Sequence, residues 1–198
     1  QKENVDEISE LDEVEWIEQI SPKPIGQLDQ SRDVIGANTV QTGTYDLTGE
    51  DITIFQYEPA SAFEHDDFQG RINKRELFQD NNQDNIDHAT HVAGIMVGDG
   101  TRNNSYRGIA TKSEVIAYES DIQLALELEY EYEKAVILYG SDLASNSFGI
   151  TPTTPNCEDL GDYTTISRSL DNLINGNLFT KKIPVIFSNG NERNIGCS

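Results

Sequence analysis

The sequence predicts an α/β fold built on a doubly wound, mostly parallel sheet. Short apolar runs rich in β-branched residues alternate along the chain with helix-sized segments, and such runs are typical of strands that are buried on both faces of a parallel sheet. The strand candidates are residues 52–57, 115–118, 143–146 and 183–187. Strands that alternate with helices need crossover connections, which place helices against a parallel sheet.

The N-terminal quarter of the chain has a different pattern. An acidic helix is expected over 4–12 and a strand over 14–20, after which Pro22 and Pro24 mark a boundary. Residues 26–48 are polar and lack sustained periodicity. We expect this stretch to form an extended arm with one helical turn.

Helix-sized segments lie between the predicted strands. Residues 88–97 form a compact apolar stretch suited to a helix, and apolar residues recur at helical spacing from Ile166 to Ile174, with Gly176 as the stop signal. The segment 122–139 is ambiguous, because its apolar residues alternate with period two while its Leu, Glu, Ala and Lys content favours a helix. We predict a helix there, since a parallel sheet needs a crossover at this point.

The length and composition of the chain favour one domain. With 198 residues and 36% hydrophobic content, the chain can build one sizeable core. The two prolines then divide it into an N-terminal extension, 1–24, and the domain itself, 25–198.

The charge of the chain excludes some classes of partner. There are 35 acidic and 14 basic residues, for a formal net charge of −21. Nucleic acids and anionic membrane surfaces are therefore disfavoured, because their phosphates require clustered Lys and Arg.

No run of 18 apolar residues is present that could span a bilayer. Because the chain begins with Gln1 and lacks an apolar signal segment, we expect a processed product that is secreted or extracytoplasmic.

Two of the three histidines, His88 and His91, lie three residues apart in the predicted helix 88–97. A pair at this spacing can bind a metal or can have a structural role, and the spacing alone does not decide between them. The surrounding residues are more specific. The sequence His-Ala-Thr-His-Val-Ala-Gly over 88–94 resembles the His-Gly-Thr-His-Val-Ala-Gly signature of the subtilisin-like serine proteases, the subtilases, with Ala89 in place of a glycine.

Three further segments resemble subtilase motifs and follow in the order of the family. Residues 108–110, Gly-Ile-Ala, are similar to the Gly-Val-Ala that precedes the next strand. Residues 146–149, Asn-Ser-Phe-Gly, are similar to the Asn-Ser-Trp-Gly that pairs with the substrate backbone, and residues 188–192, Ser-Asn-Gly-Asn-Glu, to the Ala-Ala-Gly-Asn-Glu of the oxyanion hole. The resemblance covers residues 30–198 and implies a subtilisin-like fold that hydrolyses peptide bonds; residues 12–24 resemble the end of a subtilase propeptide.

The resemblance implies roles for particular residues. His88 would be the general base, Asn191 would donate to the oxyanion, and Ser147, Phe148 and Gly149 would bind substrate. A serine hydroxyl becomes a good nucleophile only when a neutral imidazole takes its proton and a carboxylate holds that imidazole in the correct tautomer. A side-chain amide aimed at the developing oxyanion stabilises the transition state further.

The acid of the site departs from the family pattern. The usual subtilase strand ends in an aspartate ahead of the histidine, followed by Ser/Thr-Gly. Here Glu58 occupies this position, thirty residues before the histidine base, and is followed by Pro59 and Ala60. The extra methylene moves the carboxylate by roughly 1 Å, and a misplacement on this scale can cost about a hundredfold in rate. Asp66 and Asp67 are alternative acids, although their His-Asp-Asp-Phe stretch resembles a loop of the family.

These residues do not contain the catalytic serine motif of the subtilases. Family members carry it in Gly-Thr-Ser-Met-Ala, downstream of the oxyanion asparagine, and no such segment occurs before Ser198. Ser145, Ser147 and Ser188 fall on the substrate and oxyanion segments. We expect a C-terminal chain of the same precursor to supply the serine and to complete a sheet that is unfinished without it. The alternatives are a catalytically impaired peptide-binding module with Glu58 at the aspartate position, and a latent zymogen.

Cys157 and Cys197 are the only cysteines. They would be expected to pair in a secreted protein and to be unrelated thiols in the cytosol, and their number does not decide which. The resemblance places both at the same end of the cleft, which implies a disulfide, with two free thiols as the alternative.

No cofactor is predicted, although the family resemblance and the acidity of the chain make calcium a possible ligand. No loop has a ligand spacing that assigns a calcium site. Asp80, Asp84 and Asp87 are equally well explained as a solvated acidic loop.

Overall fold

A computed structural model describes residues 28–76, 79–120, 125–149, 162–177 and 181–190. Within these residues five strands form one sheet in which all neighbours are parallel, in the order β2-β3-β1-β4-β5. The strands are β1 (Thr53–Glu58), β2 (Ile72–Lys74), β3 (Glu114–Glu119), β4 (Leu143–Asn146) and β5 (Val185–Phe187). The predicted α/β fold with a parallel sheet is confirmed. The sequence pattern had not indicated β2, which is only three residues long.

The helices in the described part of the chain flank this sheet. They are α1 (Leu28–Val34), α2 (Ala37–Val40), α3 (Gln83–Val97), α4 (Ala125–Glu133) and α5 (Thr165–Asn175), and a π-helical turn, Lys134–Leu138, continues α4. The predicted crossover helix is therefore present in α4, and α5 ends as predicted at Gly176, which has a left-handed φ of 72°. No described helix combines the length and the apolar character that crossing a bilayer requires.

Two of the helix predictions need correction. The arm at 26–48 contains two short helices, α1 and α2, instead of one turn. Helix α3 begins five residues before His88, because the side chain of Asn82 accepts a hydrogen bond from the backbone N–H of Asp84 and caps the helix. The helix expected at 4–12 and the strand expected at 14–20 lie outside the described residues.

Strand β1 occupies the centre of the sheet and separates two hydrophobic clusters. Phe55 and Tyr57 pack with α4 and α5 on one face, whereas Ile54 packs on the other face with Ala93 and Val97 of α3. Successive side chains of a strand point to opposite faces. The even-numbered positions of β1, which include Glu58 at its carboxyl end, therefore face α3.

The Gly-Ile-Ala segment at 108–110 holds the end of α3. The backbone N–H of Gly108 donates to the carbonyl oxygen of Gly98 at 2.6 Å, and the N–H groups of Ile109 and Ala110 donate to the last carbonyls of the helix. A Cβ atom at position 108 would lie 2.8 Å from the carbonyl oxygen of Gly94. Only glycine allows this close approach, which explains the motif in structural terms.

The α4 side of the core contains buried carboxyl groups. Glu131 is 4% exposed. One oxygen of Glu131, one oxygen of Glu76 and the hydroxyl of Tyr57 are buried without a hydrogen-bond partner among the described residues. Burial, and then the adjacent carboxyl of Glu76 and the charge of Glu127, raise the pKa of Glu131 to about 9. Glu131 is therefore protonated at neutral pH.

We expect this buried carboxyl to make the protein less stable as the pH rises from about 5 to about 9. The raised pKa means that the native state keeps a proton which the unfolded chain releases, so the stabilisation is present at low pH and is lost through this range. Glu131→Gln removes the titration, and its free energy of unfolding should change less between these pH values than that of the wild type, by on the order of 5 kcal/mol. Urea unfolding at several pH values measures this difference.

Glu133→Gln is the matched control, because Glu133 lies on the same helix and is exposed. It should keep the pH dependence of the wild type. An equal pH dependence for the wild type and Glu131→Gln would contradict the prediction.

Candidate active site

The structure brings Glu58, His88 and Ser147 together at the carboxyl end of β1. The Nε2 atom of His88 lies 3.0 Å from Oε2 of Glu58 and 2.9 Å from the carbonyl oxygen of Ser147. The other carboxyl oxygen of Glu58, Oε1, accepts a hydrogen bond of 2.6 Å from the backbone N–H of Ser147. The side chain of Glu58 is fully buried and that of His88 is 44% exposed. One carboxyl group thus joins helix α3 to the chain that follows β4.

The parallel register of the sheet explains why these residues meet. Gln56 of β1 pairs with Ser145 of β4, so β1 ends two residues later and β4 one residue later, at the same edge of the sheet. Helix α3 packs on the face of β1 to which Glu58 points, and it presents His88 from its second turn. Functional groups of open α/β sheets commonly lie at this edge.

Burial and hydrogen bonding act in opposite directions on the pKa of Glu58. Burial raises the pKa of Glu58 above its ordinary value, while the hydrogen bond from the Ser147 N–H and the neighbouring His88 lower it in part. A buried carboxylate needs such partners to remain charged. Protonation of His88 would add a positive charge next to this carboxylate, so the pair is suited to stabilising an imidazolium ion.

The contacts of the imidazole define its tautomer. When Glu58 is ionised, both groups at Nε2 are oxygen acceptors, so in this orientation of the ring Nε2 carries the proton and the lone pair is on Nδ1. In a Ser-His-acid triad the carboxylate instead holds the Nδ1–H group, and Nε2 accepts the proton of the serine. A half-turn of the ring about its Cβ–Cγ bond would exchange Nε2 with Cε1 and free Nε2 from both oxygens, but Glu58 would then face Cε1 and lose its hydrogen bond to the ring. The triad arrangement therefore needs a different position of the imidazole as a whole.

Two polar residues whose contacts the sequence did not predict support this site. Gln56 is 1% exposed, and its Nε2 atom donates to the carbonyl oxygen of Ala89 at 2.8 Å, which ties β1 to α3 next to His88. Glu119 ends β3, and its carboxylate accepts the backbone N–H groups of Ser61 and Asp80. The sequence signal for Gln56 is a polar residue within an otherwise apolar strand, two positions before the acid. Glu119 ends the neighbouring strand in register with the acid.

The alternative acids do not approach the imidazole. Asp66 forms an ion pair of 2.6 Å with Arg102, and Asp67 accepts the backbone N–H of the same arginine. Neither aspartate contacts His88 among the described hydrogen bonds and ion pairs. Glu58 is therefore the carboxylate that the fold places at the site.

The predicted substrate segment begins at the site itself. Ser147 contacts both His88 and Glu58, and the ring of Phe148 packs edge-on against Tyr57 at 6.0 Å between centroids. Gly149 follows and is exposed. These positions leave the backbone after β4 next to the imidazole.

Three predicted residues lie outside the described residues: Asn191, Cys157 and Cys197. The chain that leads to Asn191 runs beside β4, since the backbone N–H of Ser188 donates to the carbonyl oxygen of Asn146 at 3.0 Å. The oxyanion role and the disulfide remain predictions. In the part of the chain that the structure describes, no group of three or more His, Cys, Asp or Glu side chains is arranged to hold a metal ion.

The fold and the site together define a class of protein: a parallel α/β sheet in which a helix-borne imidazole lies 3.0 Å from a buried carboxylate at a strand end. The sequence profile of the Subtilase family matches residues 23–197, and the chain belongs to this family. The predicted resemblance is confirmed, and with it a serine peptidase lineage.

Two solved structures show the same fold. The CspB protease of Clostridium perfringens is 20% identical and superposes with a TM-score of 0.60, over 82% of this chain and 41% of that chain. The PatG macrocyclase in complex with peptide is 13% identical with a TM-score of 0.50, over 84% of this chain and 58% of that one. The chain thus spans about half the length of these proteins. No curated protein sequence matched it.

Proposed function

We propose that this chain is the N-terminal part of a serine endopeptidase that hydrolyses peptide bonds. The contact of 3.0 Å between Glu58 and His88, in a member of the subtilase family, carries the proposal. His88 takes the proton of a serine hydroxyl as the oxygen attacks the substrate carbonyl, and then gives that proton to the leaving amine. Glu58 orients the imidazole and stabilises its positive form.

The substrate backbone lies, in this proposal, along residues Ser147 to Gly149 as an added β-strand. This mode of binding uses main-chain hydrogen bonds at an exposed strand end. Support comes from Ser147, which contacts both members of the His88–Glu58 pair, so a backbone paired there would place its carbonyl near the base. Asn191 would donate its amide to the oxyanion.

The catalytic serine would come from a C-terminal chain of the same precursor. Strand β5 supports this part of the proposal, because Ile186 and Phe187 are 52% and 39% exposed at the edge of the described sheet. An unpaired apolar strand edge calls for a covering segment. The protein would be secreted or extracytoplasmic and proteolytically processed, with peptides as substrates and without nucleic-acid or membrane partners.

Fluorophosphonate labelling of the complete protein, with its C-terminal chain, tests the proposal. We expect one serine of the C-terminal chain to be modified, and we expect His88→Ala to slow the labelling strongly because the hydroxyl then lacks a base. A folded, complete protein that takes up no label would reject the endopeptidase function.

A peptide-binding module without catalysis is the second candidate. It is favoured by the tautomer of His88, since the nitrogen that should face a serine is occupied by Glu58 and Ser147. Fluorescence anisotropy with labelled peptides distinguishes the two functions. The module would bind peptide without cleaving it, whereas a peptidase activity that disappears in His88→Ala would exclude it.

A further inference from the structure

A groove of about 500 Å³ lies between α1, the chain that follows β1, and the outer face of α3. Its apolar lining consists of Ile35, Phe63, Phe68, Ile95, Tyr106 and Ile109. Ile35, Phe63, Tyr106 and Ile109 are between 37% and 66% exposed, which is unusual for large apolar side chains that converge on one place. Such a concentration of exposed apolar surface indicates an interaction site.

The groove is also less acidic than the rest of the chain. Two arginines, Arg32 and Arg107, balance two aspartates, Asp67 and Asp87, at the groove, whereas acidic residues outnumber basic ones 35 to 14 in the whole chain. The guanidinium groups of Arg32 and Arg107 donate to amide and carbonyl oxygens, and neither forms an ion pair with a described carboxylate. In a chain with a net charge of −21, this groove suits a segment that is both apolar and acidic.

The chain itself carries such a segment, a few residues before helix α1 in the sequence. Residues 14–20, Val-Glu-Trp-Ile-Glu-Gln-Ile, combine four apolar side chains with two glutamates. Helix α1 begins at Leu28, one turn before Ser31 and Arg32, which line the groove. The residues between 20 and 28 can span up to about 28 Å when extended, so the segment reaches the groove without strain. The short tether also gives it an effective concentration on the order of millimolar.

We propose that residues 14–20 dock into the groove between α1 and α3, with the indole of Trp16 against its apolar lining and a glutamate next to Arg107, which is partly exposed, whereas Arg32 is buried. The groove has room for one indole and adjacent aliphatic side chains. The docked segment lies against the same helix that carries His88. The N-terminal extension is then a part of the folded domain, whether or not the complete protein is active.

Trp16 is the only tryptophan of these 198 residues and reports on docking directly. The difference in fluorescence between the wild type and Trp16→Phe isolates its emission. We expect a blue-shifted maximum and acrylamide quenching that is at least about threefold weaker than in the urea-unfolded chain, because a docked indole is shielded from solvent. Tyr106→Asp and Ile95→Glu each place a carboxylate in the groove and should restore quenching to the unfolded level.

Ile174→Glu is the matched control, since Ile174 is 44% exposed on α5 and does not line the groove. It should leave the emission of Trp16 unchanged, and far-UV circular dichroism should show that all three variants fold. Tyr106 is 63% exposed, so its variant keeps the test valid if Ile95→Glu unfolds. A solvent-exposed Trp16 in the wild type overturns the proposal. Shielding that survives Tyr106→Asp, or that depends on protein concentration, overturns it as well, because the indole then lies elsewhere or in a second copy.

Discussion

Replacing His88 by alanine should lower the kcat/KM of the complete protein for a peptide substrate by about 10²- to 10⁴-fold, the range that general acid–base catalysis contributes. The imidazole is the basic side chain that contacts Glu58 among the described residues, and in the proposed mechanism it takes the serine proton. Steady-state kinetics on the purified complete protein measure the effect. Substrate affinity should change little, because the imidazole acts on the serine and not on the substrate backbone.

The result should appear in kcat and not in folding. The side chain of His88 is 44% exposed, so its removal leaves no large cavity and the thermal midpoint should stay close to that of the wild type. Activity retained within a few-fold in a folded His88→Ala protein would contradict the assignment of the base.

Glu58→Gln tests the same pair from the side of the carboxyl group. It should lower kcat/KM about 10²- to 10⁴-fold, because an amide cannot stabilise the imidazolium and can hold the ring in the wrong tautomer. Glu58→Asp should also lose activity, about tenfold or more. The shorter side chain moves the carboxylate by roughly 1 Å, and it then cannot reach both His88 and the backbone N–H of Ser147. Kinetics of both variants measure the effect.

Glu133→Gln makes the same chemical change at an exposed position of α4 and should keep the activity of the wild type. If Glu58→Asp were more active than the wild type, the glutamate would be a poor substitute for aspartate at this position. The fit of its side chain between α3 and Ser147 would then have no catalytic value.

The sequence predicted those parts of the structure that repeat a local pattern. The apolar runs at β1, β3 and β4 and the helical spacing in α5 depend on burial with a regular period, so their positions could be read directly. The partnership of Glu58 with His88 was predicted from the order of the motifs along the chain and not from any geometric argument. Motif order located both residues but gave no information on which ring nitrogen the carboxylate contacts.

The features that were missed depend on tertiary contacts. The short helices α1 and α2 lie in a polar stretch without apolar periodicity, and Arg32 of α1 is held by the carbonyl oxygens of Arg107 and Gly108, far along the chain. The acidic side chain of Glu131 predicts a solvated helix face, whereas the fold buries it and keeps it protonated. Neither the two short helices nor the burial of Glu131 can be predicted from the residues that neighbour them in the sequence.

The central position of β1 has a consequence for mutagenesis. Its odd-numbered side chains build the aromatic cluster with α4, and its even-numbered ones face α3 and lead to the acid. A substitution scan from Phe55 to Glu58 should therefore alternate between two phenotypes, with losses of thermal stability at Phe55 and Tyr57 and losses of turnover at Gln56 and Glu58. Because adjacent side chains of the strand point to opposite faces, substitutions at neighbouring positions should affect folding at one position and catalysis at the next.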